Sequence, residues 1–70
     1  MKVFIVEEGM AYEGSWIQGI FATLERAIAE AKELESRHRG MKDDYLNEAV
    51  VYNRTNGRNS IQVVAHTVQE

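Results

Sequence analysis

Residues 19–35 read GIFATLERAIAEAKELE, and the fold turns on whether this stretch covers a sheet or waits for a partner. Thr23 stands where an N-cap is wanted, because its hydroxyl can accept a backbone N–H that the first turn leaves free. Glu25 follows in that turn, where negative charge meets the positive end of the helix dipole. At 100° per residue, Leu24, Ala27, Ile28, Ala31 and Leu34 fall within about 120° of arc, the stripe of a core-facing helix. Glu25, Arg26, Lys32, Glu33, Ser36 and Arg37 occupy the other side. Glu33 and Arg37 form an i,i+4 pair in the favourable order. Arg37, His38 and Arg39 complement the C-terminal dipole, and Gly40 is placed for a left-handed cap. The pattern predicts a helix over 24–39. Its apolar face holds two leucines, one isoleucine and two alanines. Alanines let a helix axis lie close to a sheet, whereas an interaction helix displays larger anchors, so this helix is read as a cover for a sheet.

Working outward, Lys2–Glu7 is β-branched and aromatic and too short for a helix, so it reads as a strand. Val3 and Ile5 point one way, Phe4 and Val6 the other, and a strand apolar on both sides is a central one. Gly9–Gly14 is a glycine-bounded loop. Ser15–Phe21 forms the second strand, with Trp16 and Ile20 on one side and Ile17 and Phe21 on the other. A short loop makes the two strands an antiparallel hairpin. Beyond the helix, Met41–Asn47 reads as a connection, with one helical turn capped by Asp43. Glu48–Asn53 is the third strand, with Val50 and Tyr52 opposite Ala49 and Val51. Asn56-Gly57 predicts a type I′ hairpin turn, since both residues tolerate positive φ. The fourth strand spans 59–68, where Ile61, Val63 and Ala65 alternate with Gln62, Val64 and His66. The predicted fold is α+β in the order ββαββ: one domain over 1–70, a four-stranded, mostly antiparallel sheet with one helix packed on one face.

That fold leaves a surplus. One helix covers one face, yet the strands carry large apolar groups on both. Either 41–47 folds over the second face or another molecule does, and an apolar face of several hundred Å² on so small a protein marks an interaction site. The chain of 70 residues is marginal by size and has no cysteine to staple it, a composition that fits a reducing cytoplasm. No stretch approaches the ~18 apolar residues of a membrane span, and Met1-Lys2 leads into too short an apolar run for a signal peptide. With 11 acidic against 8 basic residues the net charge is −3, which disfavours duplex nucleic acid, whose binding is driven by neutralising phosphates.

Catalytic patterns are missing. His38 and His66 are far apart and lack a metal-ligand spacing, and joining them to Asp43 or Asp44 makes no recognised set. Glu7 and Glu8, adjacent in a strand, point to opposite faces and form no dyad. Asp43-Asp44 suits a turn or cap. Ser15, Ser36 and Ser60 have no neighbouring base, and Gly9, Gly14 and Gly19 lead into a strand and not into a phosphate-binding helix. No enzyme, metal or cofactor is expected. Arg37, His38, Arg39, Arg54 and Arg58 with Tyr12, Trp16, Tyr45 or Tyr52 could stack single-stranded nucleic acid, but the acidic total opposes it.

Lys2-Val3-Phe4-Ile5-Val6, followed by Gly19-Ile20-Phe21-Ala22-Thr23-Leu24-Glu25-Arg26-Ala27, resembles short bacteriophage and bacterial proteins. In these a K-V-Y/F-V-V strand precedes a G-V-F-S/T strand and an E-K-A helix. The resemblance covers about a third of the chain, brings no catalytic residue, and departs where Arg26 replaces lysine. It implies a phage-encoded accessory or inhibitor protein that sticks to a host protein, including one of a defence system. The expected function is therefore non-enzymatic protein binding in the host cytoplasm. The expected contacts are Trp16, Tyr12, Tyr45 and Tyr52 with the acids Glu7, Glu8, Asp43 and Asp44. The partner is a host protein, a second copy in a homodimer, or both.

Overall fold

The computed structural model describes residues 1–69. The chain runs β1 (Lys2–Met10), β2 (Gly14–Phe21), α1 (Leu24–Glu35), β3 (Lys42–Asp43), β4 (Val50–Thr55) and β5 (Asn59–Thr67). The five strands form one sheet in the order β2-β1-β5-β4-β3, and each neighbouring pair is antiparallel. The α+β class and the single helix on one face are as predicted. The strand count is not. The expected turn at 41–47 contains a fifth, two-residue strand, Lys42 opposite Thr55 and Asp43 opposite Arg54. Arg54 is the reason: its guanidinium reaches Asp43 Oδ1 at 2.6 Å and the Met41 carbonyl at 3.1 Å, holding the segment extended beside β4.

Helix α1 begins as its sequence dictates. Thr23 is the N-cap, its hydroxyl accepting from Arg26 N–H at 3.3 Å. Ala27, Ala31 and Leu34 are buried, Ile28 is half-buried and Leu24 lies at the exposed start. The helix stops at Glu35, short of the predicted 39. The Ser36 hydroxyl donates to the Glu33 carbonyl, and Arg37 and His38 N–H groups reach back only three residues, to Leu34 and Glu35. Such local bonds compete with the i→i−4 ladder and unwind its end. Gly40 does take a left-handed φ of 74°, but in the turn into β3, four residues beyond the Ser36 cap.

The core is thin. Val6, Ile61 and Val63 of the sheet meet Ala27, Ala31 and Leu34 of the helix, flanked by Phe4, Phe21, Met41, Val51 and Tyr52. Two irregularities decide which side chains join it. Opposite Val6 and Glu7, β2 carries one extra residue, so Gly19 pairs with Val6 but Ile17 pairs with Glu7. Opposite Val63 and Val64, β4 does the same, so Tyr52 pairs with Val63 and Val50 with Val64. One extra residue flips every side chain beyond it to the other face. The predicted face sets are corrected accordingly: Trp16 and Phe21 share the helix side, Ile17 and Ile20 share the opposite side, and Val50 and Tyr52 part company. Phe21 lays its ring across Gly19, where an added Cβ would sit 2.8 Å from the ring.

The β4–β5 hairpin forms at Asn56-Gly57, but not through a type I′ turn. Gly57 has φ 87° while Asn56 does not take positive φ. Instead the Asn56 side-chain oxygen accepts from the N–H groups of Arg58 and Asn59, at 2.9 and 2.7 Å. At the β1–β2 turn it is Tyr12 that takes φ 69°, and Ala11 N–H donates to the Arg58 carbonyl at 2.8 Å, pinning the two hairpin tips together.

Candidate protein-binding surface

The strand registers arrange the face opposite the helix in three rows. Nearest the hairpin tips are Ser15, Gly9, Ser60 and Thr55, across β2, β1, β5 and β4. The middle row is Ile17, Glu7, Gln62 and Asn53, with Gln62 donating to the Glu7 carboxylate at 3.2 Å. The third is Ile20, Ile5, Val64 and Val50, apolar from one side of the sheet to the other, with Val3 and His66 paired beyond it. Among the described residues nothing covers this face on the β2 side: Ile17 is 57% and Ile20 60% exposed. The whole molecule exposes 5022 Å², against about 4,500 Å² expected for its mass. The excess is what a two-layer domain shows when one side of its sheet lacks a cover.

The 44–49 segment does not close over these rows. Asp44 and Asn47 N–H groups bond to the Asn53 and Val50 carbonyls, so it runs along the outer side of β4. Asn53 Nδ2 holds the Tyr45 carbonyl at 3.0 Å, and Tyr45 and Leu46 remain exposed.

The predicted contact residues do not assemble into one patch. Of the four acids Glu7 lies in the middle row of the open face, and Asp44 stands at its border, opposite Asn53. Glu8 is on the helix side, where Gln18 Nε2 donates to it at 2.6 Å and His38 Nε2 lies 3.0 Å away. Partial burial tends to raise the Glu8 carboxyl, but those two hydrogen bonds and the nearby His38 and Arg37 charges outweigh it, holding it below the ordinary carboxylate range. Asp43 is tied to Arg54, and Asp44 folds back on Tyr45 N–H at 2.8 Å.

Tyr52 faces the helix and donates its hydroxyl to Glu35, which also accepts from Arg54 Nε at 2.7 Å. Burial first, then the Glu35 hydrogen bond and charge, push the Tyr52 phenol up to about 12. Bonds to Asp43 and Glu35 in turn raise the Arg54 guanidinium. Tyr52 and Arg54 are thereby engaged inside the fold, which removes both from the basic-aromatic patch considered above. Trp16 is half-exposed on the helix side of β2, and Tyr12 projects fully into solvent at the hairpin tip. A sequence reading missed the apolar row itself, since Val64 and Val50 join Ile5 and Ile20 only once the strand order and bulges are known.

Chemically, the face offers shape and hydrophobicity. A shallow cavity of about 260 Å³ between the hairpin tips is lined by Gly9, Ser15, Thr55, Arg58 and Ser60, with no carboxylate or imidazole among its walls. Among the described residues, no group of three or more His, Cys, Asp or Glu side chains is close enough to hold a metal ion. No helix among them is long and apolar enough to cross a membrane.

Fold and surface together define a small two-layer α+β domain, one helix against a five-stranded antiparallel sheet whose other side is open. The chain belongs to the family described as a domain of unknown function (DUF7336), whose family model matches residues 1–53, from β1 into β4. No curated protein and no solved structure matches it.

Proposed function

We propose that this protein is a non-enzymatic binding module that docks another protein on the open sheet face, and that it is a phage-encoded accessory or inhibitor acting on a host protein in the host cytoplasm. The apolar row Ile20–Ile5–Val64–Val50 carries the reading, because contiguous uncovered apolar surface on a small domain is where partners bind. The adjoining Glu7, Gln62 and Asn53 of the middle row supply polar groups that fix orientation. The phage and host-defence context rests on the resemblance of 2–6 and 19–27. An acidic protein can occlude a basic surface of its target, with charge steering the encounter. Glu7, in the middle row of the open face, is an acid placed for that role.

The test is affinity capture from host lysate with the parent protein and with Gln62→Lys, which sets a charge in the middle of the face without touching the core. A host protein retained by the parent and lost with Gln62→Lys supports the reading. Equal recovery by both would sink it. Glu7→Gln is expected to lower the salt dependence of the captured complex; an unchanged salt slope removes the steering role.

A further inference from the structure

The two edges of the sheet are treated very differently. Beyond β4 lie β3 and the 44–49 segment, which satisfy the outer backbone and place Lys42, Asp43 and Asp44 along that border. Among the described residues no strand pairs with the outer side of β2, although β2 is 8 residues long. An edge strand presents a row of unpaired N–H and C=O groups, and proteins blunt such edges with charges, prolines or a covering segment. The sequence of β2, GSWIQGIF, contains no charge and no proline. Its side chains are exposed almost throughout, with Trp16 42% exposed beside Ile17 and Ile20.

The bulge makes this edge complementary to itself. It places Ile17 and Ile20 on the open face, and Trp16 and Phe21 on the helix side. A two-fold axis perpendicular to the sheet, passing between Gln18 and Gly19, runs β2 antiparallel to its copy. Ile17 then lies opposite the partner's Ile20 on one face, and Trp16 opposite the partner's Phe21 on the other. In an unbulged strand that axis would pair residues facing opposite ways. With no charge on β2, self-pairing brings no like charges together.

From this geometry we infer that the protein forms a two-fold dimer by antiparallel pairing of β2 with β2 of a second copy, joining two five-stranded sheets into one. The two open faces then lie side by side on one side of the joined sheet, doubling the surface proposed above to receive a partner. The dimer itself does not depend on that proposal. Edge pairing of this kind is smaller than a standard interface of about 800 Å² per partner, so association is reversible, with a Kd on the order of micromolar.

Light scattering across a wide range of protein concentration tests it. A concentration-dependent dimer is expected, weakened at least tenfold by Ile17→Lys and unaffected by Gln62→Lys, which lies on β5 away from the edge. The chain has no native cysteine, so register is also testable. Under mild oxidation, a mixture of Ile17→Cys and Ile20→Cys chains is expected to give disulfide-linked dimer faster than either variant alone. A monomer at every concentration overturns the inference, and so does a dimer broken by Gln62→Lys but not Ile17→Lys, which would be face to face. Because a monomer can still capture a host protein, these results and the lysate experiment fail independently.

Discussion

Tyr12 is the residue most out of keeping with its surroundings. It holds φ 69° at a hairpin tip with its ring in solvent, a conformation that an L-residue with a side chain adopts at a cost of about 1–2 kcal/mol. Strain kept at an exposed aromatic is a reason to look there for binding. Tyr12→Gly is expected to stabilise the protein by up to about 1 kcal/mol in urea denaturation, since glycine enters this region freely but loses more entropy on folding. Tyr52 makes the opposite case, a polar group taken up by the fold. Its folded-state value near 12 lies above the 10.0 of an ordinary phenol, so its contribution is complete below pH 10 and lost as pH rises through about 12. Denaturation midpoints should therefore fall between about pH 10 and 12, and Tyr52→Phe should fall less. A loss of equal size in the variant would show that the Glu35 contact does not matter. Tyr52 was legible as an aromatic in a strand. Its engagement with Glu35 was not, because 17 residues separate them in the chain.

At the scale of elements, the start and the buried face of the helix were the best-read parts, because N-cap, first-turn charge and stripe are all local and agree, whereas its end came four residues before the one read. Its buried alanines predict their own test. Ala31 is fully buried against the sheet, so Ala31→Leu inserts volume where the helix axis already lies close, at a cost of about 1–3 kcal/mol. Leu34→Ala removes the largest helix contribution to the core and is expected to cost about 2–4 kcal/mol. Both are read from thermal or urea unfolding, and effects below a few tenths of a kcal/mol would mean the helix is not the cover described. Apart from the two-residue β3, which was read as a turn, the strands were legible in existence and poorly legible in facing. Alternation assigns faces only while the period holds, and Gln18 and Val51 each interrupt it by one residue. Neither carries a proline or a non-glycine positive φ that would announce a bulge. Ile17 and Val50 consequently changed sides, and with them the composition of the surface that matters for function.

At the scale of the molecule, strand order was the least legible feature. Hairpins follow from short loops, but the pairing of β1 with β5 joins residues from opposite ends of the chain, Lys2 against Thr67, and no local signal announces it. Val68 N–H donates to the Met1 carbonyl at 2.7 Å, so the two ends of the described chain lie together. A circular permutant that joins them through a short linker and reopens beside exposed Leu46 makes every pairing among β4, β5, β1 and β2 a local hairpin. It is expected to refold on the order of tenfold faster with unchanged circular dichroism, because contact order sets the rate. An unchanged rate in stopped-flow refolding would contradict the limiting role of that pairing. The same arrangement has a consequence during synthesis. As the chain leaves the ribosome, the β1–β2 hairpin and the helix emerge first, but the strand that belongs in the middle of the sheet comes last. Until it clears the exit tunnel, β1 has an open border where β5 belongs, and the nascent chain is most prone to stray association after the other strands have emerged and before β5 follows.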